Sequence, residues 1–257
     1  MRMLARRLAF LLALACATAS AQDRLVKVET RAGVTVSYWY MPRDGATATL
    51  LLFTGGGGNI GMRDGEPRSP NFLVRNRALF AAQGFNVAVI GRPSDVADMD
   101  DRFRTSPRHL EDVAKVLADL HGRAPVPTWL IGTSMGTVSV AAVAAAPNGP
   151  PIAGIVLTSS ITSFRMQGAV PRQDLKVIHV PALVMHHERD ACWACAPHEV
   201  PLILHGLANA PVKALRMVAG GSDPRGDPCQ PLHWHGFTGM DDEAVRLITG
   251  WIRDPRS

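Results

Sequence analysis

The chain has 257 residues, with 27 Lys and Arg against 22 Asp and Glu, a formal net charge of +5. Three of those arginines fall in the first 21 residues, so residues 22–257 carry 24 bases against 22 acids, a net of +2. No Lys/Arg cluster with interleaved aromatics remains in that span, which argues against a nucleic-acid partner. Its length of about 236 residues suits one well-buried α/β domain.

The N-terminus reads as a secretion signal rather than part of the fold. Arg2, Arg6 and Arg7 form a basic region, residues 8–15 an apolar core, and Ala19-Ser20-Ala21 a small-x-small cleavage site before Gln22. The apolar stretch is too short to remain as a membrane anchor. Ala13-Leu14-Ala15 makes a poor lipobox ahead of Cys16, and the surroundings of Arg6-Arg7 fit a twin-arginine motif poorly. The expectation is export, cleavage after Ala21, and a secreted or periplasmic protein formed by residues 22–257.

Residues 25–30 and 34–40 read as two antiparallel strands joined at Ala32-Gly33. Residues 49–54 form an apolar strand that runs into four glycines, 55–58. A helix is predicted over 72–82, ending at Gly84, followed by a buried strand over 85–90. Asp98, Asp100 and Asp101 read as a solvated loop. Leu110, Val113, Val116, Leu117 and Leu120 repeat at helical spacing over 107–120. A strand at 129–131 precedes a small-residue helix over 137–146. Strands over 152–158 and 182–186 follow, then a helix over 200–207, a strand over 212–218 and a closing helix over 241–252. In that last helix Val245, Ile248, Trp251 and Ile252 share one face, with Asp241 and Asp242 near the positive N-terminal end. A hairpin followed by repeated β-α units implies a mostly parallel sheet with helices on both faces. There is no interdomain linker, low-complexity run or internal repeat.

Gly132-Thr133-Ser134-Met135-Gly136 sits between the strand at 129–131 and the helix that follows, as a G-x-S-x-G nucleophile elbow requires. The bland alternative is a small-residue turn whose serine caps the helix. A serine hydroxyl needs a base, and the base needs an acid to orient it. Asp190 lies just beyond the strand at 182–186, and His235 lies in the loop before the last helix, next to Gly236. Glu188 is the alternative acid, with less reach, and His233 the alternative base. His186-His187 resembles a metal pair, but adjacent strand residues point to opposite faces. For the oxyanion, one donor is expected from the Met135 amide and one from the glycine run, at Gly56 or Gly57. That run lacks the Gly-Lys-Ser/Thr ending of a P-loop and the downstream acid of a dinucleotide fold. No cofactor or metal is expected.

Three cysteines follow the signal: Cys192, Cys195 and Cys229. Export favours one disulfide with one thiol left over. Cys192-Trp193-Ala194-Cys195 has half the spacing of a zinc site, with no second half. Cys192 lies two residues past the expected acid and Cys229 six before the expected base, so a Cys192–Cys229 bridge would staple the two loops. Cys195 could replace Cys192 in it.

The glycine run, the elbow, Asp190-Ala191-Cys192, Asp227-Pro228-Cys229 and His235-Gly236-Phe237 together resemble the α/β-hydrolase superfamily, in particular its small secreted bacterial members without a large cap. The resemblance spans essentially all of residues 22–257. It implies an eight-stranded sheet and a triad carried by Ser134, His235 and Asp190. Where members often have His-Gly at the start of the oxyanion loop, this chain has Thr54-Gly55. Only a short turn at 164–167 stands where related enzymes insert a lid, so an open site and a small or soluble ester are expected. Peptide or thioester hydrolysis uses the same machinery. A periplasmic binding protein on a hydrolase fold and a disulfide-exchange protein using Cys192 and Cys195 are the readings from other classes.

Overall fold

A computed structural model describes residues 22–257; the expected signal segment, residues 1–21, lies outside the described residues. β1 (Arg24–Arg31) and β2 (Val34–Met41) form an antiparallel hairpin whose turn needs Gly33 at a φ of +70°. Six further strands complete the sheet: β3 (Thr49–Phe53), β4 (Asn86–Pro93), β5 (Thr128–Thr133), β6 (Gly154–Thr158), β7 (Ala182–His187) and β8 (Lys213–Val218). The order across this eight-stranded sheet is β1-β2-β4-β3-β5-β6-β7-β8. β2 meets β4 antiparallel, and every later pairing is parallel.

Strand alternation divides the core into two layers. Leu50, Leu52, Val87, Val89 and Ile131 face one side, against Phe72, Phe80 and the Val245, Ile248 and Trp251 stripe of the C-terminal helix. Leu51, Phe53, Ala88, Ile90 and Leu130 face the other, against Val113, Val116 and Leu120 of one helix and Val140 and Val143 of the helix after Ser134. Both faces are therefore covered, which explains why β3, β5 and β7 are buried along their whole length.

The helices are α1 (Phe72–Arg75), α2 (Arg77–Ala82), α3 (Asp101–Arg104), α4 (Pro107–Arg123), α5 (Met135–Ala144), α6 (Pro201–Gly206) and α7 (Asp241–Arg253). The single helix expected over 72–82 is broken at Asn76. That residue is buried, sits at φ −98° and ψ 6°, and gives its side-chain amide to Asp241 at 2.5 Å. A cross-link to α7 has displaced helical continuity. The loop expected at Asp98–Asp101 is also partly structured. Asp100 caps α3 by accepting the Phe103 N–H at 2.7 Å, and Asp101 accepts the Gly168 N–H at 2.8 Å. Other ends shift by a few residues, as helix and strand termini do.

All parallel strands finish at one end of the sheet, where Phe53, Thr133, Thr158, His187 and Val218 open into the loops described below. β1 runs in their direction, because it is antiparallel to β2 and β2 is antiparallel to β4. Its start at Arg24 therefore lies at the opposite end. α7 returns to that same opposite end, where Trp251 packs edge-on against Trp129 near the start of β5, with ring centroids 5.9 Å apart. Between β6 and β7 the chain makes two 3-10 turns, Val170–Arg172 and Leu175–Val177, and no α-helix. No helix among the described residues is long and apolar enough to cross a membrane.

Candidate active site

Ser134 stands at the carboxyl end of β5, in the one residue between strand and α5, with φ 53° and ψ −126°. A non-glycine residue held there is strained by about 1–3 kcal/mol. The surroundings enforce it: the Ser134 N–H donates to Thr158 O at 3.0 Å, and its carbonyl accepts the Thr137 N–H at 2.9 Å. The flanking glycines are needed for close approach. A Cβ on Gly136 would lie 2.0 Å from the Phe53 carbonyl oxygen, and one on Gly132 would lie 2.6 Å from Gly136 O. The bland alternative is excluded locally, because the Ser134 side chain makes no capping hydrogen bond to α5.

Asp190 meets His235, which lines the same cleft as Ser134. His235 Nδ1 lies 2.9 Å from Asp190 Oδ2, and both residues are buried. Asp190 Oδ1 accepts the Cys192 N–H at 2.9 Å. A partner not anticipated from sequence is His186, whose Nε2 lies 3.3 Å from Asp190 Oδ2 and 2.9 Å from Cys195 O. Burial alone would raise the Asp190 pKa, but the hydrogen bonds from His186, His235 and the Cys192 amide overcome it and hold the carboxyl at about 2. The acid is thus ionised at neutral pH. His235 Nε2 is buried and has no hydrogen-bond partner, Ser134 included. The acid–base contact is made, and the base–hydroxyl contact is open. The alternatives lie elsewhere: Glu188 is exposed, and His233 packs edge-on against Trp234.

His187 leaves β7 on the other face. It stacks on Trp234 at 4.9 Å and approaches Gly220 O at 2.9 Å. The two adjacent histidines therefore have separate partners.

The histidine loop is held by contacts distant in sequence. Ser159 Oγ donates to His235 O at 2.7 Å. Arg75 donates to Gly236 O at 2.6 Å, to Pro231 O at 3.1 Å and to Asp241 at 2.8 Å. The left-handed residue of this turn is Phe237, at φ 56°, and not the adjacent Gly236. Gly236 is required because a Cβ there would lie 1.9 Å from Pro231 O.

Cys192 and Cys229 form a disulfide that joins the Asp190 loop to the segment leading to His235, and Cys195 is free and buried. Burial, and then the charge of Asp190, push the Cys195 thiol up, which keeps it protonated. Among the described residues the one cluster with metal-donor spacing is Cys192, Cys195 and His235. The bridge occupies the Cys192 sulfur, so that cluster offers no thiolate pair.

The glycine run folds back as a turn in which the carbonyls of Thr54 and of the first three glycines are engaged. Gly55 O accepts the Gly58 N–H at 3.3 Å and Gly57 O the Met99 N–H at 3.2 Å. Thr54 O and Gly56 O accept from the guanidinium of Arg104 at 3.3 and 2.8 Å. Arg104 is fully buried and also donates to Met99 O and Ser139 Oγ. Desolvation lowers its pKa to about 10, which still leaves it charged. A trans peptide points its C=O and N–H in opposite directions, so pinning Gly56 O on Arg104 turns the Gly57 N–H away from the buried side. A Cβ on Gly57 would lie 1.7 Å from Asp98 Oδ1, so the Asp98 side chain, although exposed, lies against the loop. Met135 opens α5, and its N–H has no partner within the helix.

These pieces surround a cleft of about 250 Å³ lined by Gly55, Gly56, Gly57, Asn71, Ser134 and His235, among others. Sequence reading missed Arg104, Arg75, His186 and Asn71, none of which carries a local motif.

The sequence matches no protein-family model and no curated protein. Solved structures do match. An α/β serine hydrolase homologue from Coxiella burnetii superposes with a TM-score of 0.62 at 15% identity, over 92% of this chain and 98% of that one. The Pyrococcus furiosus esterase Pf2001 gives 0.64 at 13% identity, over 90% and 92%. A cold-adapted esterase from an Arctic intertidal metagenomic library gives 0.57 at 20% identity, over 79% and 86%. At such identities the likeness speaks for architecture, and together with the strand order it places this chain in the α/β-hydrolase fold.

Proposed function

We propose that the chain is a serine hydrolase that cleaves a carboxylic ester of a small or soluble substrate, with Ser134 as nucleophile, His235 as general base and acid, and Asp190 as its orienting carboxylate. The observation that carries this reading is the strained Ser134 facing a cleft shared with His235, whose outer nitrogen is unpartnered while an ionised acid holds the inner one. The Ser134 Oγ–carbonyl bond forms as its proton passes to His235 Nε2 and the carbonyl electrons move onto oxygen. His235 then returns that proton to the leaving alcohol as the C–O bond breaks, which leaves an acyl-enzyme on Ser134. Water repeats the sequence and releases the acid. The Met135 and Gly57 N–H groups serve the oxyanion. The open, uncapped approach favours compact acyl groups. The reading calls for no cofactor, and the basic and apolar pattern of residues 1–21 supports a location outside the cytoplasm.

The test is p-nitrophenyl acetate and butyrate hydrolysis by residues 22–257 beside Ser134→Ala. A clear rate lost in the variant supports the assignment. A wild-type rate no better than the variant's would sink the esterase reading.

A further inference from the structure

Asn71 stands at the edge of the cleft for a reason that helix capping does not exhaust. It is the N-cap of α1: its Oδ1 accepts the Leu73 N–H at 3.1 Å, and its own N–H donates to Ser69 Oγ at 3.3 Å. Only the oxygen of a side-chain amide can accept from an N–H, so that bond fixes which end is which. Nδ2 must then point away from the helix. It lies over Gly55, which also borders Ser134. A Cβ placed on Gly55 would lie 2.9 Å from Ser134 Cβ, 3.2 Å from Thr133 O and 3.3 Å from Asn71 Nδ2. The bare α-carbon of Gly55 is thus where the elbow, the oxyanion loop and the Asn71 amide converge. Among the described residues no acceptor takes the Nδ2 protons, and Asn71 lines the same cleft as Ser134 and His235.

We infer that Asn71 Nδ2 is a side-chain oxyanion donor that contacts the substrate's carbonyl oxygen as it becomes an alkoxide in the tetrahedral intermediate. This rests on the serine-hydrolase reading. The amide is neutral, so it gives up little solvation in the resting cleft, and the cap holds it in place before substrate arrives. Donors prepositioned in this way act mainly on the transition state, where removal of one lowers the rate by about 100-fold or more. Thr54, just before the glycine run, carries a hydroxyl too, but it is buried and does not line the cleft. The side-chain contribution on this flank of the site therefore falls to Asn71.

The two roles of Asn71 separate by substitution. Asn71→Asp and Asn71→Ser keep an oxygen that can cap α1 but lack the amide donor, whereas Asn71→Ala loses both. The probe is an alkyl fluorophosphonate, which bonds its phosphorus to Ser134 Oγ and expels fluoride while the phosphoryl oxygen occupies the oxyanion site. Its labelling rate is read by intact mass, with thermal melting as the check on folding. The expected result is single labelling of the wild type, none in Ser134→Ala, and about 100-fold slower labelling in both capped variants at near wild-type melting temperature. Labelling of Asn71→Asp and Asn71→Ser within threefold of wild type would overturn the donor role and leave Asn71 a helix cap, with the hydrolase reading intact. A wild-type protein that is never labelled would overturn both.

Discussion

Removing the Cys192–Cys229 bridge tests whether it stabilises the fold and the acid–base contact together. The cysteines are 37 residues apart in sequence. In the chain-entropy description, a loop of that length gives up about 13 cal/mol/K in the unfolded state, or about 4 kcal/mol at 25 °C. A domain of about 236 residues unfolds with an entropy near 0.5 kcal/mol/K, so the loss should lower the melting temperature by about 8 °C. Cys192→Ala/Cys229→Ala is the right variant, because Cys229→Ser alone would leave Cys192 beside the buried Cys195 thiol. Melting followed by circular dichroism reads the first effect. The second is read by ester hydrolysis at 25 °C, where the bridge-free protein should be slower through a looser Asp190–His235 pair. A melting temperature within about 2 °C of wild type and unchanged turnover would refute the reasoning, by showing that Arg75, Ser159 and His186 hold the two loops without it.

Arg104→Met should uncouple the oxyanion loop. It leaves the Thr54 and Gly56 carbonyls buried without donors, at about 1–3 kcal/mol each, partly offset by relief of a buried charge. A destabilisation of about 3 kcal/mol in urea is expected, with kcat reduced at least about tenfold and KM nearly unchanged; equal losses in neither quantity would separate Arg104 from the loop. His109 gives an acid-sensitive signature. Burial and the nearby Arg104 lower its pKa to about 3, so the folded protein cannot take up the proton that the unfolded chain accepts below about pH 6.5. Stability is complete above that value and falls as the pH drops toward 3, by about 2 kcal/mol at pH 5. His109→Gln should flatten urea midpoints between pH 7.5 and 5, about, and an unchanged slope would assign the acid sensitivity to other groups.

The sheet was legible because its strands are apolar runs bounded by turn residues, and the elbow because strand, tight turn and helix follow one another without a break in the chain. Asp190 and His235 were legible through chain order after the serine, and the structure brings them into contact. What escaped had its cause in another part of the chain. Asn76 breaks a helix to reach Asp241, more than 160 residues away. Arg104 reads in sequence as one more charge beside three aspartates, yet it is the buried hub of the glycine loop. Asn71 is indistinguishable from an ordinary cap until the neighbourhood of Gly55 is known. Asp98 is solvated as its sequence context suggests, whereas Asp101 is half-buried because its partner, the Gly168 N–H, is far from it in sequence.

The path of β1 and the return of α7 put residue 22 and the C-terminal tail at the end of the sheet remote from Ser134. An affinity handle, a reporter or a surface linker attached at residue 22 or at the C-terminal tail leaves the mouth of the cleft facing solution. Tethering to a bead or an electrode should therefore preserve turnover, and variants of the loops around Ser134 can be compared on a support without repurifying each one.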